Sequence, residues 1–311
     1  MPARELSAWR AATRMETSKI MRAGLIGSGI QASLTPAMHM AEARSQGFAY
    51  RYDLLDLDLL GGGTERLSAL IKRAEADGFV GLNITHPCKQ AVIPLLDTLS
   101  EDAATLGAVN TVVLRDGKRH GHNTDWWGFA EAFRRRLPDA ELRHVVQLGA
   151  GGAGAATVYA ILMLGADAMT IFDPDGGRAA VLVAAMKKRF PSARISAGSD
   201  LAAAMADASG LIHATPTGMA NYPGLPLDAD LLNARQWVAE IVYFPLETEL
   251  LAEARRRGCR VVDGGGMAVF QAVGAFGLFT GCEADAGRMM RHFMALTGTG
   301  EAGDIRPGAV G

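Results

Sequence analysis

A glycine-rich segment, GAGGAG at residues 149–154, has the spacing of a phosphate-binding turn. It follows the apolar run VVQL and precedes the helical pattern AATVYAILMLG. Glycines at these positions allow a tight turn and let a pyrophosphate approach backbone N–H groups at a helix N-terminus, whose partial positive charge favours an anion. The alternative is a Gly/Ala-rich turn without a ligand, but the flanking strand and helix favour a dinucleotide site. Its predicted residues are Gly149, Ala150, Gly151, Gly152 and Ala153.

An acidic residue lies at the distance from this turn that a dinucleotide site requires. Asp173 ends the strand-like run MTIFD, about twenty residues beyond the last glycine, where a carboxylate can accept hydrogen bonds from the adenosine ribose hydroxyls. A 2′-phosphate there would meet like charge, and Asp175 follows before the first arginine, Arg178. The cofactor is therefore predicted to be NAD rather than NADP. The alternative is a strand-end aspartate that caps the next helix.

A lysine and an aspartate can supply the proton transfer that an NAD-linked oxidation needs. Lys89 follows the apolar run GLNIT within a few residues, with Pro87 stiffening the turn, and Asp125 opens a helical pattern. An alcohol that loses a hydride must also lose its O–H proton, and a lysine held by a carboxylate can accept it. An exposed lysine on a first helical turn is the alternative for Lys89. No His-rich, Cys-rich or carboxylate-rich cluster indicates a catalytic metal such as zinc.

Two alternating patterns of strands and helices position these residues. From Met21 to Thr124, short apolar runs alternate with helical segments, which predicts a mostly parallel sheet covered by helices. Within it, Asp116-Gly117 is typical of a hairpin turn. A second alternation predicts a Rossmann unit with the strands HVVQL, MTIFD, GLIHATP, QWVAEIVYF and CRVVDGG. The stretch from Met267 to about Leu296 is helical in pattern.

The chain is therefore predicted to fold as two open α/β domains with a cleft between them, which Lys89 and Asp125 should both face. The substrate-binding and catalytic domain is predicted to contain residues 20–125 and 267–297, and the Rossmann NAD-binding domain residues 126–266. Residues 1–19 and 298–311 are predicted to be flexible termini.

Composition and charge favour small-molecule chemistry. The 311 residues exceed the usual size of one domain, and a net charge of −2 with interspersed signs lacks the basic surface that nucleic-acid binders use. No apolar run is long enough to span a membrane, and the first twenty residues lack a signal-peptide apolar region. The odd, widely spaced cysteines, Cys88, Cys259 and Cys282, predict no disulfide framework and fit a reducing cytoplasm. We expect a small-molecule partner, neither nucleic acid nor membrane, and a monomer or homodimer.

Several further segments resemble, in their order along the chain, those of the shikimate dehydrogenase family. They extend from about Gly24 to Leu296 and read SLTPAMH, GLNITHPCKQ, LGAVNT, GHNTDWWGF, LGAGGAGAA, ATPTGM, VYFPLETELL and DGGGMAVFQAVGAFGLFTG. Many motifs at consistent spacing are more specific than the glycine-rich turn alone. The resemblance implies that Lys89 is the catalytic lysine and that Asp125 is its partner.

The resemblance also assigns substrate and cofactor residues. A polyol pocket needs hydroxyl and amide side chains, because buried polar groups left unpaired penalise a substrate that lacks the matching hydroxyl. Ser33 and Thr35 resemble the pair that holds the substrate carboxylate; the alternative is that they cap the helix near Pro36. The residues expected along the substrate ring are Thr85, Asn110, Tyr243 and Gln271. Those expected near the nicotinamide are Ile241, Gly264 and Met267.

Departures from the usual pattern favour the NAD-linked quinate/shikimate dehydrogenase branch of this family. Most anabolic members have two serines in the first motif and a basic loop after the second Rossmann strand, whereas this chain has Thr35 and Asp173-Pro174-Asp175. The reaction implied is reversible hydride transfer from the C3 hydroxyl of quinate or shikimate. The alternatives are a biosynthetic or aminoshikimate-type dehydrogenase and a catalytically silent dinucleotide-binding regulatory protein. His213 stands where the family usually has Asn, and Gly265 where it often has Leu.

Overall fold

A computed structural model describes residues 20–298, which form two compact units. Within these residues, the first unit contains 20–124 and 272–298, and the second contains 125–271. The predicted flexible termini lie outside the described residues, except for Gly298, which ends the last helix in the left-handed conformation. The structure confirms the predicted class of two α/β units.

A six-stranded sheet forms the centre of the first unit. Its strands are β1 (Met21–Gly27), β2 (Tyr50–Asp56), β3 (Phe79–Ile84), β4 (Thr98–Leu99), β5 (Thr111–Arg115) and β6 (Lys118–His122), in the order β2-β1-β3-β5-β6-β4. β1 is parallel to β2 and β3, whereas β5 is antiparallel to both β3 and β6. The predicted hairpin joins β5 to β6, with Asp116 at φ 52° and Gly117 at φ 70°. β4 is parallel to β6, so β5 alone runs against the other five strands, and the sheet is mostly parallel, as predicted.

Short helices cover this sheet. They are α1 (Thr35–Ser45), α2 (Leu57–Leu60), α3 (Leu67–Ala76), α4 (Cys88–Ala91) and α5 (Glu101–Leu106), with single 3₁₀ turns at Thr64–Arg66 and Ile93–Leu95. Successive side chains of β1 point to opposite faces of the sheet, and each face carries its own apolar cluster. Ile26 belongs to one cluster and Leu25 to the other. The sheet is therefore buried on both faces, as is typical of α/β proteins.

The second unit contains a fully parallel sheet of six strands. They are β7 (Val145–Leu148), β8 (Ala168–Phe172), β9 (Arg194–Ala197), β10 (Gly210–His213), β11 (Trp237–Glu240) and β12 (Arg260–Val262). The order β12-β11-β10-β7-β8-β9 is that of a dinucleotide-binding Rossmann fold, with the reversal between β7 and β10. The sequence did not predict β9, because only Ile195 is buried in that edge strand.

The helices of the second unit flank this sheet. They are α6 (Asp125–Arg136), α7 (Gly152–Met163), α8 (Gly176–Arg189), α9 (Leu201–Ala206) and α10 (Glu249–Arg256), with a 3₁₀ turn at Ala229–Leu231. α6 begins at Asp125, as predicted.

Two helices, α11 (Gly264–Thr280) and α12 (Ala286–Thr297), end the described chain. α11 begins three residues before the predicted start at Met267. Residues 264–271 of α11 belong to the second unit and residues 272–280 to the first. In the first unit, the Phe279 ring lies where a Cβ on Gly81 would be, at 2.2 Å. Within residues 20–298, no helix combines the length and apolar character needed to cross a bilayer.

Candidate active site

In the first unit, the loops that follow β1 and β3 are joined at the carboxyl edge of the sheet. The Thr85 N–H donates to the Ile26 carbonyl, and the Ser28 N–H donates to the His86 carbonyl, both at 2.9 Å. A Cβ on Gly27 would lie 2.3 Å from the Thr85 methyl group and 2.9 Å from the His86 oxygen. Only glycine permits this close approach, which holds Thr85 beside the end of β1.

Asp56, at the end of β2, holds the loop that leads to Ser33. Its carboxylate accepts hydrogen bonds from the Gln31 side-chain amide at 2.9 Å and from the Gly29 and Ile30 N–H groups at 3.2 Å. The Gln31 amide, supported by these backbone donors, lowers the pKa of Asp56 below its usual value. Asp56 was not among the predicted site residues, although a carboxylate at the end of an apolar strand was the available signal.

Ser33 and Thr35 lie where this loop enters α1, and both are half-buried. The Thr35 N–H donates to Ser33 Oγ at a long 3.4 Å, while Leu34 occupies the cap position without a side-chain hydrogen bond. The capping alternative therefore has little support from α1. Binding of a substrate carboxylate by these hydroxyls stays a prediction.

Asn110 connects the carboxyl edge of β3 to the segment that precedes α6. Its backbone carbonyl accepts from the Ile84 N–H at 2.8 Å, and its buried side chain accepts from the Thr124 N–H at 2.7 Å. Its amide also donates to Thr124 Oγ1 at 3.0 Å. Asn110 thus fixes the backbone directly before Asp125, the first residue of α6.

Lys89 lies in the first turn of α4, a few residues after the end of β3. Its carbonyl accepts from the Val109 N–H at 2.9 Å, and its side chain is half-buried. Burial raises the pKa of the neighbouring Cys88 thiol to about 11, so this thiol stays protonated and unreactive near neutral pH. Lys89 and Asp125 belong to different units, and their pairing stays a prediction.

The glycine-rich turn of the second unit has the geometry of a phosphate cradle. Gly149 has φ 100°, and a Cβ there would lie 2.4 Å from the Ala214 oxygen, so no other residue fits. By contrast, nothing lies within 4 Å of a Cβ built on Gly151 or Gly152. α7 begins at Gly152 without a side-chain cap, so the N–H groups of its first turn lack helical acceptors. This open surface rich in N–H donors fits a pyrophosphate.

Gln147 supports the turn from inside the unit. Its side-chain amide donates to the carbonyls of Gly149 and Gly154, both at 2.8 Å, and accepts from the Thr157 hydroxyl at 2.8 Å. A Cβ on Gly154 would lie 2.4 Å from the Gly149 oxygen, so glycine is required for the helix to pack here. Our site prediction omitted Gln147 and Gly154, although an amide inside the otherwise apolar run VVQL was a usable signal.

Asp173 lies against this turn at the end of β8. Its carboxylate accepts from the Ala150 N–H at 2.8 Å and from the Asp175 N–H at 2.9 Å, and its side chain is 6% exposed. Asp175, rather than Asp173, caps α8. The Arg178 Nε lies 3.9 Å from Asp173 and 3.4 Å from Asp175. One guanidinium therefore faces two carboxylates.

The predicted cofactor residues Ile241 and Gly264 contact each other in the second unit. A Cβ on Gly264 would lie 2.4 Å from the carbonyl oxygens of Ile241 and Val242, so glycine lets α11 start against this segment. Tyr243 follows and is 42% exposed. The roles of these residues toward a ligand stay predictions.

Met267 and Gln271 lie on α11, where that helix packs closely against Gly128 of α6. A Cβ on Gly128 would lie 2.6 Å from the Gln271 nitrogen and 2.9 Å from the Met267 oxygen. The Gln271 side chain donates to the Ala268 carbonyl within the helix at 3.0 Å. Among the described residues, no three His, Cys, Asp or Glu side chains are grouped so that they could hold a metal ion.

Comparison with known proteins agrees with this architecture. Residues 25–112 match the model of the shikimate dehydrogenase substrate binding domain. The chain is 57% identical over 278 residues to a shikimate dehydrogenase (NADP(+)) of Streptomyces avermitilis, with 89% of this chain and 96% of that protein covered. It is 47% identical over 277 residues to a quinate/shikimate dehydrogenase (NAD(+)) of Corynebacterium efficiens, with coverages of 88% and 97%.

A solved structure shows the same fold. Quinate dehydrogenase from Corynebacterium glutamicum, in complex with NAD, superposes with a TM-score of 0.85 at 44% identity and covers 89% of this chain and 100% of that chain. Identity at this level over most of both chains confirms the resemblance identified from the sequence motifs. The chain therefore belongs to the shikimate dehydrogenase family, whose members are oxidoreductases that act on a hydroxyl group.

Proposed function

We propose that this enzyme uses NAD to oxidise the C3 hydroxyl of quinate, shikimate or both, giving 3-dehydroquinate and 3-dehydroshikimate reversibly. The acidic end of β8, beside the glycine-rich turn, is the observation that carries the choice of cofactor. The Corynebacterium relatives named for NAD support it.

The argument for NAD is electrostatic. Each carboxylate oxygen has acceptor capacity beyond the backbone bonds that Asp173 already makes, so ribose hydroxyls can donate to it. A 2′-phosphate at the same place would approach the carboxylates of Asp173 and Asp175, with the single guanidinium of Arg178 between them. NADP is disfavoured because this group of side chains has a net negative charge.

The chemistry assigned to the side chains is acid–base catalysis and orientation. Bound NAD supplies the hydride acceptor. Lys89 takes the proton of the C3 hydroxyl during oxidation and returns it during reduction, with Asp125 as its partner. Ser33 and Thr35 orient the ring by donating to the carboxylate, while Thr85, Asn110, Tyr243 and Gln271 read the ring hydroxyls.

A biosynthetic shikimate dehydrogenase that uses NADP is the second candidate. Two observations favour it: Arg178 lies beside the ribose-binding acid, and the Streptomyces avermitilis relative is named for NADP. A matrix of kcat/KM values for quinate, shikimate and aminoshikimate, each with NAD and NADP, separates the candidates. Preference for NADP with shikimate would replace our proposal, and preference for aminoshikimate would change the substrate assignment.

Substitution of Asp173 tests the cofactor assignment directly. We expect Asp173→Ala to lower kcat/KM with NAD and to raise it with NADP, because the ribose acceptor and the repelling charge are both removed. Asp173→Asn, which removes the charge but keeps an acceptor for the Ala150 N–H, is the matched variant. An unchanged ratio of the two kcat/KM values in both variants would contradict the role of Asp173.

A further inference from the structure

A histidine and a glutamate are buried side by side at the ends of two neighbouring strands of the second unit. His213 ends β10 and Glu240 ends β11, and the two residues are paired in register. His213 is 0% and Glu240 1% exposed. His213 Nδ1 lies 2.9 Å from Glu240 Oε2.

The Glu240 carboxylate also holds the backbone that follows β11. Its Oε1 atom accepts from the Ile241 N–H at 3.0 Å and from the Val242 N–H at 3.1 Å, while Oε2 accepts from the Thr248 hydroxyl at 3.3 Å. With His213 as the further donor, every part of this buried carboxylate is paired. The direction in which the chain leaves β11 is therefore set by this side chain.

His213 holds the backbone that follows β10 in the same way. Its Nε2 atom contacts the Thr215 hydroxyl, and that hydroxyl accepts from the Thr217 N–H at 3.3 Å. The network assigns a proton to Nδ1, which donates to Glu240, and makes Nε2 the acceptor of the Thr215 proton. One pair of side chains thus anchors the segments that leave two adjacent strands.

These segments lie at the edge of the sheet where a dinucleotide binds. Strand order reverses between β7 and β10, and ligands of such sheets bind at the carboxyl ends of strands around this point. The glycine-rich turn after β7 and Asp173 after β8 fit the pyrophosphate and the adenosine half. The nicotinamide half of the ligand would then lie at the ends of β10 and β11. Contact of Gly149 with Ala214 shows that the segment after β10 adjoins the turn.

Stability alone gives little reason for a buried ionisable pair here. Removing two such groups from water is costly, and well-packed apolar residues of similar volume often stabilise a core as well or better. Networks of this kind instead hold neighbouring groups in one arrangement.

We propose that His213 and Glu240 are positioning residues for the nicotinamide half of the cofactor. They fix residues 215–217 and 241–242 in the arrangement that receives this half before it binds. Since NAD and NADP share the nicotinamide half, the proposal is independent of the choice between them.

Binding measurements with a whole and a truncated ligand test this proposal. The variants are His213→Ala, Glu240→Gln and Thr215→Val. One probe is ADP-ribose, which lacks the nicotinamide. The other is the reduced dinucleotide, either NADH or NADPH, whichever the unaltered enzyme binds more tightly. We expect each variant to raise the Kd of the reduced dinucleotide by about ten-fold or more, while the Kd of ADP-ribose changes by less than about two-fold. A purely structural role would weaken both ligands alike.

Thr215→Val guards against a loss of folding, because it removes one hydroxyl at the periphery of the network. Glu42→Gln, which alters a buried carboxylate in the first unit, is the control for general destabilisation and should leave both Kd values unchanged. Equal weakening of both ligands in the folded variants would overturn the proposal. Unchanged binding of the reduced dinucleotide in Thr215→Val would overturn it as well, whatever the other variants do.

Discussion

Lys89 is the side chain on which the proposed proton transfer depends. We expect Lys89→Ala to lower kcat by roughly the hundred- to ten-thousand-fold typical of a lost acid–base group, with little change in NAD affinity. Steady-state kinetics and NADH titration measure the two quantities. Gln90→Ala, at an exposed position of the same short helix, is the control and should retain activity. Near-normal turnover of Lys89→Ala would assign the proton transfer to another group.

Two glycines of the phosphate-binding turn should respond differently to the same substitution. Gly154→Ala places a methyl group 2.4 Å from the Gly149 oxygen, so it should destabilise the fold by about 1–3 kcal/mol. Gly151 has φ −72° and open space at its Cβ, so Gly151→Ala should lower the Tm much less, by no more than the loss of a favourable N-cap residue. Its methyl group should still weaken NADH binding by about ten-fold, because it occupies space that the pyrophosphate needs. Comparable Tm losses in the two variants would contradict this assignment.

Site residues could be predicted where their role follows from their spacing along the chain. The glycine-rich turn and the acid at the end of β8 follow from spacing, and the structure brings Asp173 to the turn. Asp56, Gln147 and Glu240 were not predicted to have functional roles. A buried polar side chain acquires its function from partners on other strands, and one sequence does not reveal those partners.

At the scale of elements, a buried ion pair fastens α12 to α1. Glu42 on α1 has no exposed side-chain surface and accepts two hydrogen bonds from Arg288 on α12, both at 2.7 Å. It also accepts from the Asp285 N–H at 2.9 Å and from the Gln46 amide. Burial alone would raise the pKa of Glu42, but these donors outweigh it and lower that pKa.

Loss of this pair should destabilise the first unit. We expect Glu42→Gln to lower the free energy of unfolding by about 1–2 kcal/mol, because Arg288, the Gln46 amide and the Asp285 N–H lose a charged acceptor. The midpoint of urea unfolding measures the effect. Asp77→Asn, which alters the exposed pair with Arg73 at 3.8 Å, should change the free energy by less than about 0.5 kcal/mol. Equal shifts of the unfolding midpoint in the two variants would show that the pair of Glu42 with Arg288 stabilises the fold no more than an exposed ion pair does.

Elements with strong local signals were predicted, and those set by neighbours were not. The hairpin turn at Asp116-Gly117 was found because both residues favour positive φ. β9 was missed because its residues are mostly exposed, so they lack the apolar run that marks a buried strand. The start of α11 was predicted too late, because glycine has low helix propensity and α11 begins with Gly264. Glycine is needed at this position because the Ile241 and Val242 carbonyls leave no room for a side chain.

For the whole molecule, acid should be destabilising. Hydrogen bonds from Arg256 and Arg257 lower the pKa of Glu253 to about 2, and the pKa values of Glu42 and Asp56 are also lowered. A carboxylate with a depressed folded-state pKa stabilises the fold above its unfolded pKa, and that contribution is lost as pH falls through the folded pKa. We expect the Tm to fall between about pH 5 and pH 2.

A series of thermal unfolding curves from pH 7 to pH 2 measures this loss. Glu42→Gln should lose less Tm across the acid range than the unaltered protein, since one of the titrating groups is gone. A Tm that stays constant down to pH 3 would contradict the assignment of these carboxylates.

The first unit is assembled from two stretches of chain that are far apart in sequence, since Glu42 and its partner Arg288 are separated by 246 positions. The second unit is one continuous stretch between them. During translation, the second unit can fold as soon as its own residues leave the ribosome. Until α11 and α12 are synthesised, the β1–β3 face of the first unit lacks Phe279 over Gly81 and exposes apolar surface to other nascent chains. The sheet of the first unit is therefore completed by helices that are synthesised after the whole Rossmann sheet of the second unit.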